Sequence, residues 1–203
     1  MAILGYGEDS LTFHALTTGL PGILNQLKDD TDPNTATVFF RPSFGRRSSP
    51  KSGPMRSEFG EFDGIIGTAR AVYLVEAKWP GSGKLGGTDL RLRPEQVRRH
   101  QAFRIYLDEW RRERPSEWAT FAEHVRPALG RLRLSPPHAR TKLARNLEYV
   151  LSRLESCGTK TADVLLFCRL SESTSPPSSC GGFCIVTHLC HPEDGSSFIR
   201  LLA

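Results

Sequence analysis

Asp63, Glu76 and Lys78 lie within the stretch EFDGIIGTARAVYLVEAKW, residues 61–79. Two carboxylates held close together repel each other and resist full ionisation. A divalent cation removes that repulsion. Mg²⁺ takes oxygen ligands, keeps several waters, and is usually held by one or two carboxylates plus phosphate oxygens. So placed, it polarises a phosphodiester and lowers the pKa of a bound water. A neighbouring lysine stabilises charge on the phosphate, or helps position or deprotonate the water. Two acids and a lysine therefore suit metal-assisted hydrolysis of a phosphodiester. The competing reading is a pair of surface salt bridges, Glu61 with Lys78 and Asp63 with Arg70, which are common and weak. It leaves unexplained why acids end so apolar a strand, since unpaired buried charge is costly.

Bringing the three together requires a hairpin. Side chains alternate faces along a strand, so Glu76 and Lys78 point the same way. A turn centred between Ala69 and Arg70 sets Asp63 opposite Glu76 and Glu61 opposite Lys78, and opposed antiparallel residues share a side. A slip of one residue would send Asp63 to the other face.

The pattern D63-GII, then E76-A-K78 after the apolar VYLV, resembles the PD-(D/E)XK nuclease superfamily, the fold of many restriction endonucleases. Gly60-Glu61-Phe62 stands where that pattern often has proline, with the acid retained. The resemblance spans about residues 8–114 plus a strand at 162–170. It implies an α/β fold with a restriction endonuclease-like αβββαβ core: a central mixed sheet flanked by helices, with a helical insertion at about 115–157 in a single domain. It implies a Mg²⁺-dependent endonuclease acting on DNA, with Mn²⁺ as a substitute metal. Asp63 and Glu76 would hold the metal, and Lys78 would assist the water or the transition state. Many members add a glutamate from the first helix, here Glu8, and a supporting glutamine from the helix after the motif, here Gln96. Glu8 shares a helical stripe with Leu11, Thr12 and Ala15; its plainer role is an acid favoured at a helix N-terminus. Gln96 falls on the face of Phe103, Leu107 and Trp110; its plainer role is a capping contact. The family also contains RNA-directed and inactive members, so an RNA nuclease or a catalytically silent nucleic-acid-binding module of the same fold is the alternative.

The formal net charge of +5 favours polyanionic partners. Arg46, Arg47 and Lys51 punctuate the Ser/Pro/Gly-rich stretch 41–56, which reads as a loop able to contact phosphates. Arg98 and Arg99, with Arg104, Arg111 and Arg112, form a row off the apolar stripe of their helix; a solvated face is the plainer reading. A second row, Arg140, Lys142, Arg145 and Arg153, follows in a later helix. One such site cuts one strand, so double-strand cleavage implies a homodimer or two binding events, and so short a chain leaves room for a partner protein that supplies specificity.

A different chemistry is suggested by CGGFCIVTHLCH, residues 180–191, because zinc favours Cys and His ligands. The spacing lacks the paired knuckles of zinc fingers. On one strand Cys184, His188 and Cys190 would lie too far apart to close a tetrahedron, so buried thiols and loop histidines are expected instead.

The elements that position these residues are read from periodicity. A helix from about Glu8 to Thr18 breaks at Gly19-Leu20-Pro21-Gly22, and ILNQLKD extends it. ATVFF is a strand; EFDGIIG and AVYLVEAKW form the hairpin. Pro94 opens a helix to about Arg114, and 138–156 carries a leucine stripe at helical spacing. ADVLLFCRL, GFCIVTHLC and SFIRLLA are later strands. No apolar run reaches the roughly 18 to 20 residues of a membrane span, and no secretory pattern opens the chain. A cytoplasmic protein with reduced cysteines is expected.

Overall fold

The apolar runs around residues 64–78 and 160–169 become the middle of a mixed sheet in the computed structural model, which describes residues 2–45, 58–80, 89–193 and 196–202. In chain order the described elements are β1 (Ile3–Gly5), α1 (Gly7–Leu16), α2 (Leu20–Gln26), β2 (Thr37–Phe40), β3 (Ser43–Phe44), β4 (Gly60–Glu61), β5 (Gly64–Gly67), β6 (Ala71–Lys78), α3 (Pro94–Glu113), α4 (Trp118–Gly130), α5 (Lys142–Leu154), β7 (Lys160–Arg169), β8 (Cys184–Leu189) and β9 (Ile199–Leu202). The protein is therefore α/β, with a five-stranded sheet ordered β2-β5-β6-β7-β8. Strands β2, β5 and β6 run antiparallel, and β6, β7 and β8 run parallel. Among the described residues no helix is long and apolar enough to cross a membrane.

The chain forms two compact units. One comprises Met1–Arg41, Phe62–Leu92 and Gly158–Ala203; the other comprises Pro42–Glu61 and Arg93–Cys157. The first holds the sheet. Strand β6 is flanked on both sides, which is why AVYLVEA is an unbroken apolar run save for its glutamate. Ala71, Tyr73, Val75 and Ala77 pack with Leu11, Ala15 and Leu16 of α1 and Leu20, Ile23 and Leu24 of α2. The helical break falls at residues 17–19. Pro21 lies in the first turn of α2 instead of ending α1, consistent with proline's tolerance there.

The hairpin register is the one the sequence argument required. Gly64 pairs with Val75 and Gly67 with Val72, which sets position 63 across from 76. A buried network pins this turn. Asp29 is 5% exposed. It accepts hydrogen bonds from the Thr68 hydroxyl (2.7 Å), the Tyr73 hydroxyl (2.8 Å) and the Thr31 backbone N–H (3.0 Å). Burial pushes its carboxyl up, but these bonds outweigh that and leave it below the ordinary value. Gly158 donates its N–H to the Thr68 carbonyl, and a Cβ at Gly158 would stand 1.9 Å from the Arg70 carbonyl carbon. Only glycine fits so close to the turn. Asp29→Ala strands the buried Tyr73 hydroxyl, removes one bond from Thr68, and is expected to destabilise the protein by about 1–3 kcal/mol. Urea unfolding checks this, and a change below about 0.5 kcal/mol would remove the network's claimed role.

The second unit is aromatic. Phe44 stacks on Phe59 at 5.1 Å and meets Phe103 at 5.3 Å. Trp110 meets Phe121 at 4.9 Å, and Trp118 meets Phe121 at 5.5 Å. Helix α4 falls in the expected helical insertion, buries Trp118, Phe121, Ala122, Val125 and Leu129 at helical spacing, and tolerates Pro127 in its interior. Thr141 caps α5, its hydroxyl accepting from the Ala144 N–H at 3.1 Å. Strands β3 and β4 pair Ser43 with Glu61. Glu61 is thus placed opposite Ser43 and not, as the extended hairpin required, opposite Lys78.

Candidate metal and phosphate site

The site stands where β6 ends and the β5 ladder begins. Asp63 lies just before β5 in the chain. Its carboxylate turns onto the neighbouring strand and accepts the Ala77 N–H at 2.7 Å. Its own carbonyl accepts the Arg41 N–H at 3.2 Å, where Arg41 adopts a left-handed φ of 49°. Arg41 in turn pairs through its guanidinium with Asp9. The position of Asp63 is therefore held by contacts at its backbone and at its carboxylate.

Glu76 is fully buried, at 0% exposure, at the centre of the sheet. It neighbours Leu165 of β7. Lys78 is half-buried, and its ammonium stands 4.0 Å from Oε1 of Glu8. It also donates to the carbonyl of Ala77. Glu8 sits in the first turn of α1, where the Thr12 hydroxyl donates to its backbone carbonyl at 2.7 Å.

The electrostatics tie the four together. The Asp63 carboxyl is pushed up to about 6. Burial is the largest cause, and the Glu76 charge adds to it. The Ala77 N–H and the Lys78 ammonium pull the other way and only partly offset these, while Glu8 raises it further. Asp63, Glu76, Lys78 and Glu8 thus lie within mutual electrostatic influence of Asp63, with one ammonium among three acids. An acid-rich, partly desolvated group of this kind suits a hard divalent cation with oxygen ligands. The three acids do not gather as tightly as a fully protein-built cage. The sets of three His, Cys, Asp or Glu ligand atoms within 4.8 Å of one another, among the described residues, lie elsewhere. Two carboxylates with the remaining positions left to water and phosphate is the arrangement Mg²⁺ tolerates.

Tyr6 and Trp79 flank these residues in the chain, two positions before Glu8 and one after Lys78. Their rings meet edge to face at 5.8 Å, and Tyr6 meets Phe198 at 5.6 Å. They border a cleft of about 330 Å³ also lined by Leu170 and Thr174. Tyr6 is 58% exposed and Phe198 48%. Nothing local in the sequence singles them out, because exposure of an aromatic is set by what does not pack on it.

The other sequence-derived candidates fall as follows. Gln96 is the third residue of α3, and its side-chain carbonyl accepts the Arg93 N–H at 3.0 Å, the capping contact. It belongs to the second unit, with Arg98 and Arg99, which are half-buried on α3. A Cβ at Gly60 would stand 3.1 Å from Nη1 of Arg99, so that guanidinium packs on the β4 backbone. Two members of the arginine row serve the fold. Arg111 donates to the Leu154 carbonyl at 3.3 Å, and Arg112 pairs with Glu109 and Glu113. Arg140, Lys142, Arg145 and Arg153 are exposed, as a solvated face requires. Arg46, Arg47 and Lys51 lie outside the described residues.

The cysteines are free, with Cys168, Cys180 and Cys190 buried. The histidines differ from the expected loop placement. His188 is within β8 and meets His14 of α1 at 2.9 Å between ring nitrogens. That pairing spans 174 positions of chain, so no spacing rule could expose it.

No protein-family model matches this chain, and neither a curated protein nor a solved structure matches it.

Proposed function

We propose that this chain is a Mg²⁺-dependent endonuclease of the PD-(D/E)XK type that hydrolyses phosphodiester bonds in DNA. The observation that carries the reading is the charge-coupled group of Asp63, Glu76, Lys78 and Glu8 at the end of β6, in the hairpin register that opposes positions 63 and 76. The order of elements supports it too: a first helix, then β2, β5 and β6 antiparallel, then α3, then β7 parallel to β6. That order looks like the αβββαβ core of the superfamily.

Asp63 and Glu76 would hold Mg²⁺ (or Mn²⁺), with Glu8 as a further acid. The bound ion would polarise the scissile phosphate and acidify a water. The chain's own groups do the rest. Lys78 places a positive charge beside the acids, where it offsets charge gathering on the phosphate oxygens. Glu8 orients that ammonium through their ion pair. The Ala77 N–H and the Arg41 N–H keep Asp63 from swinging away, which preserves alignment of the reacting groups. Tyr6 and Phe198 present exposed rings, and unpaired bases stack on such rings without sequence preference. The positive net charge favours a polyanionic substrate.

Incubation of supercoiled plasmid with the protein tests this reading. Nicked and linear DNA are expected with Mg²⁺ and none with EDTA. Intact plasmid in both, with the DNA retarded on a gel, would instead identify a nucleic-acid-binding module. Cleavage confined to an RNA substrate would reassign the polymer and keep the site.

A further inference from the structure

Helix α1 carries Glu8 toward the acidic group at one end and His14 toward a separate cluster further along. His14 Nδ1 lies 2.9 Å from His188 Nε2 and 3.8 Å from the sulfur of Cys190. The three ligand atoms all fall within 4.8 Å of one another. Their chain positions are an α-helix, the end of β8 and the residue just past β8. The site is built and not incidental. His188 lies against the backbone of Gly19, where an added Cβ would stand 2.3 Å from Cε1 and 2.5 Å from Nδ1 of the ring. Cys190 is fully buried, and its N–H is fixed to the Arg169 carbonyl at 2.9 Å.

We propose that His14, His188 and Cys190 form a zinc site that ties α1 to the end of β8. Tetrahedral Zn²⁺, with bonds of roughly 2.0 Å to nitrogen and 2.3 Å to sulfur, sets ligand nitrogens roughly 3.3 Å apart and nitrogen and sulfur roughly 3.5 Å apart. The observed 2.9 Å and 3.8 Å need only small adjustments to meet those values. Two imidazoles and a thiolate are a borderline-soft set, which selects Zn²⁺ over the hard Mg²⁺. Binding would replace the proton of the Cys190 thiol with the metal and release it. The fourth position falls to water or to exposed His191, next to Cys190 in the chain and within electrostatic reach of both rings.

The other three-ligand group, Glu109, Glu113 and His124, is accounted for without a metal. Arg112 bonds to all three residues and offsets part of the acids' charge.

The test uses tag-free full-length protein. After dialysis against Zn²⁺ and then metal-free buffer, elemental analysis is expected to find about one zinc per chain. Co²⁺ in its place should give a thiolate-to-metal charge-transfer band. Cys190→Ser should abolish that band, and His14→Ala, with its fold checked by circular dichroism, should weaken zinc binding by about 100-fold or more. Asp63→Asn should leave the zinc in place, which keeps this result independent of the nuclease reading. Absence of retained zinc and of the cobalt band in the wild-type protein would overturn the site. So would a cobalt band that survives in Cys190→Ser.

Discussion

Lys78→Ala is expected to lower the Mg²⁺-dependent nicking rate by between about 10²- and 10⁴-fold while leaving DNA retention nearly unchanged. Lys78 supplies the one cation that acts on Asp63 among the causes of its shift, and it stands beside Glu8 at the end of a strand whose other residues are buried. Its contacts contribute little to folding: an ion pair at 4.0 Å with a partly exposed partner is worth about 0–1 kcal/mol. The unfolding midpoint in urea should therefore barely move. Lys78→Arg keeps the charge and replaces a compact ammonium with a planar fork, so it should recover only part of the rate. A Lys78→Ala protein that nicks as fast as wild type would place the chemistry elsewhere in the molecule. One that loses DNA retention in proportion to rate would make Lys78 a phosphate anchor.

Much of this group was legible in the sequence because two local rules fix it. The turn centre sets the register, and the register sets which residues oppose. Asp63, Glu76 and Lys78 followed from counting along one hairpin, and α3 and α5 followed from proline and leucine spacing. What the sequence concealed is what distant segments decide. Glu61 left the hairpin because residues 43–44 offered β4 another partner. Helix α4 buries Trp118, Phe121, Ala122, Val125 and Leu129 at helical spacing, a stripe masked by Pro127 in the helix interior. Strand β1 is three residues long and exists by pairing with β9 at the far end of the chain. His14 meets His188 through the packing of α1 on the sheet, and CGGFCIVTHLCH holds only two of the three clustered side chains. The break expected at Gly19-Leu20-Pro21-Gly22 falls slightly earlier, at residues 17–19, because proline is equally at home in the first turn of the next helix.

The second large effect concerns stability and pH. Asp63 is pushed up to about 6, against roughly 4 for an aspartate in the unfolded chain. The folded state therefore binds the proton more tightly. Between about pH 4 and 6 it carries more protons than the unfolded state, so stability falls as pH rises through that window and stays lower above it. The gap corresponds to about 3 kcal/mol at most. Asp63→Asn keeps a carbonyl oxygen able to accept the Ala77 N–H and removes the charge beside Glu76. Metal-free Asp63→Asn should therefore be more stable than wild type at pH 7.5, by about 1–3 kcal/mol, and indistinguishable from it near pH 4. Saturating Mg²⁺ should stabilise wild type at pH 7.5 and leave Asp63→Asn almost unaffected. Urea unfolding at the two pH values, with and without Mg²⁺, reads all of this. A variant less stable than wild type at pH 7.5 would mean that the carboxylate is favourably paired there and needs no cation.

A crystal soaked in Mn²⁺ and measured for anomalous scattering tests the central claim most directly. A peak bonded to carboxylate oxygens of both Asp63 and Glu76 at about 2.1 Å, with Lys78 beside it, is the predicted result. A map with no anomalous peak at Asp63 and Glu76 would contradict the nuclease reading.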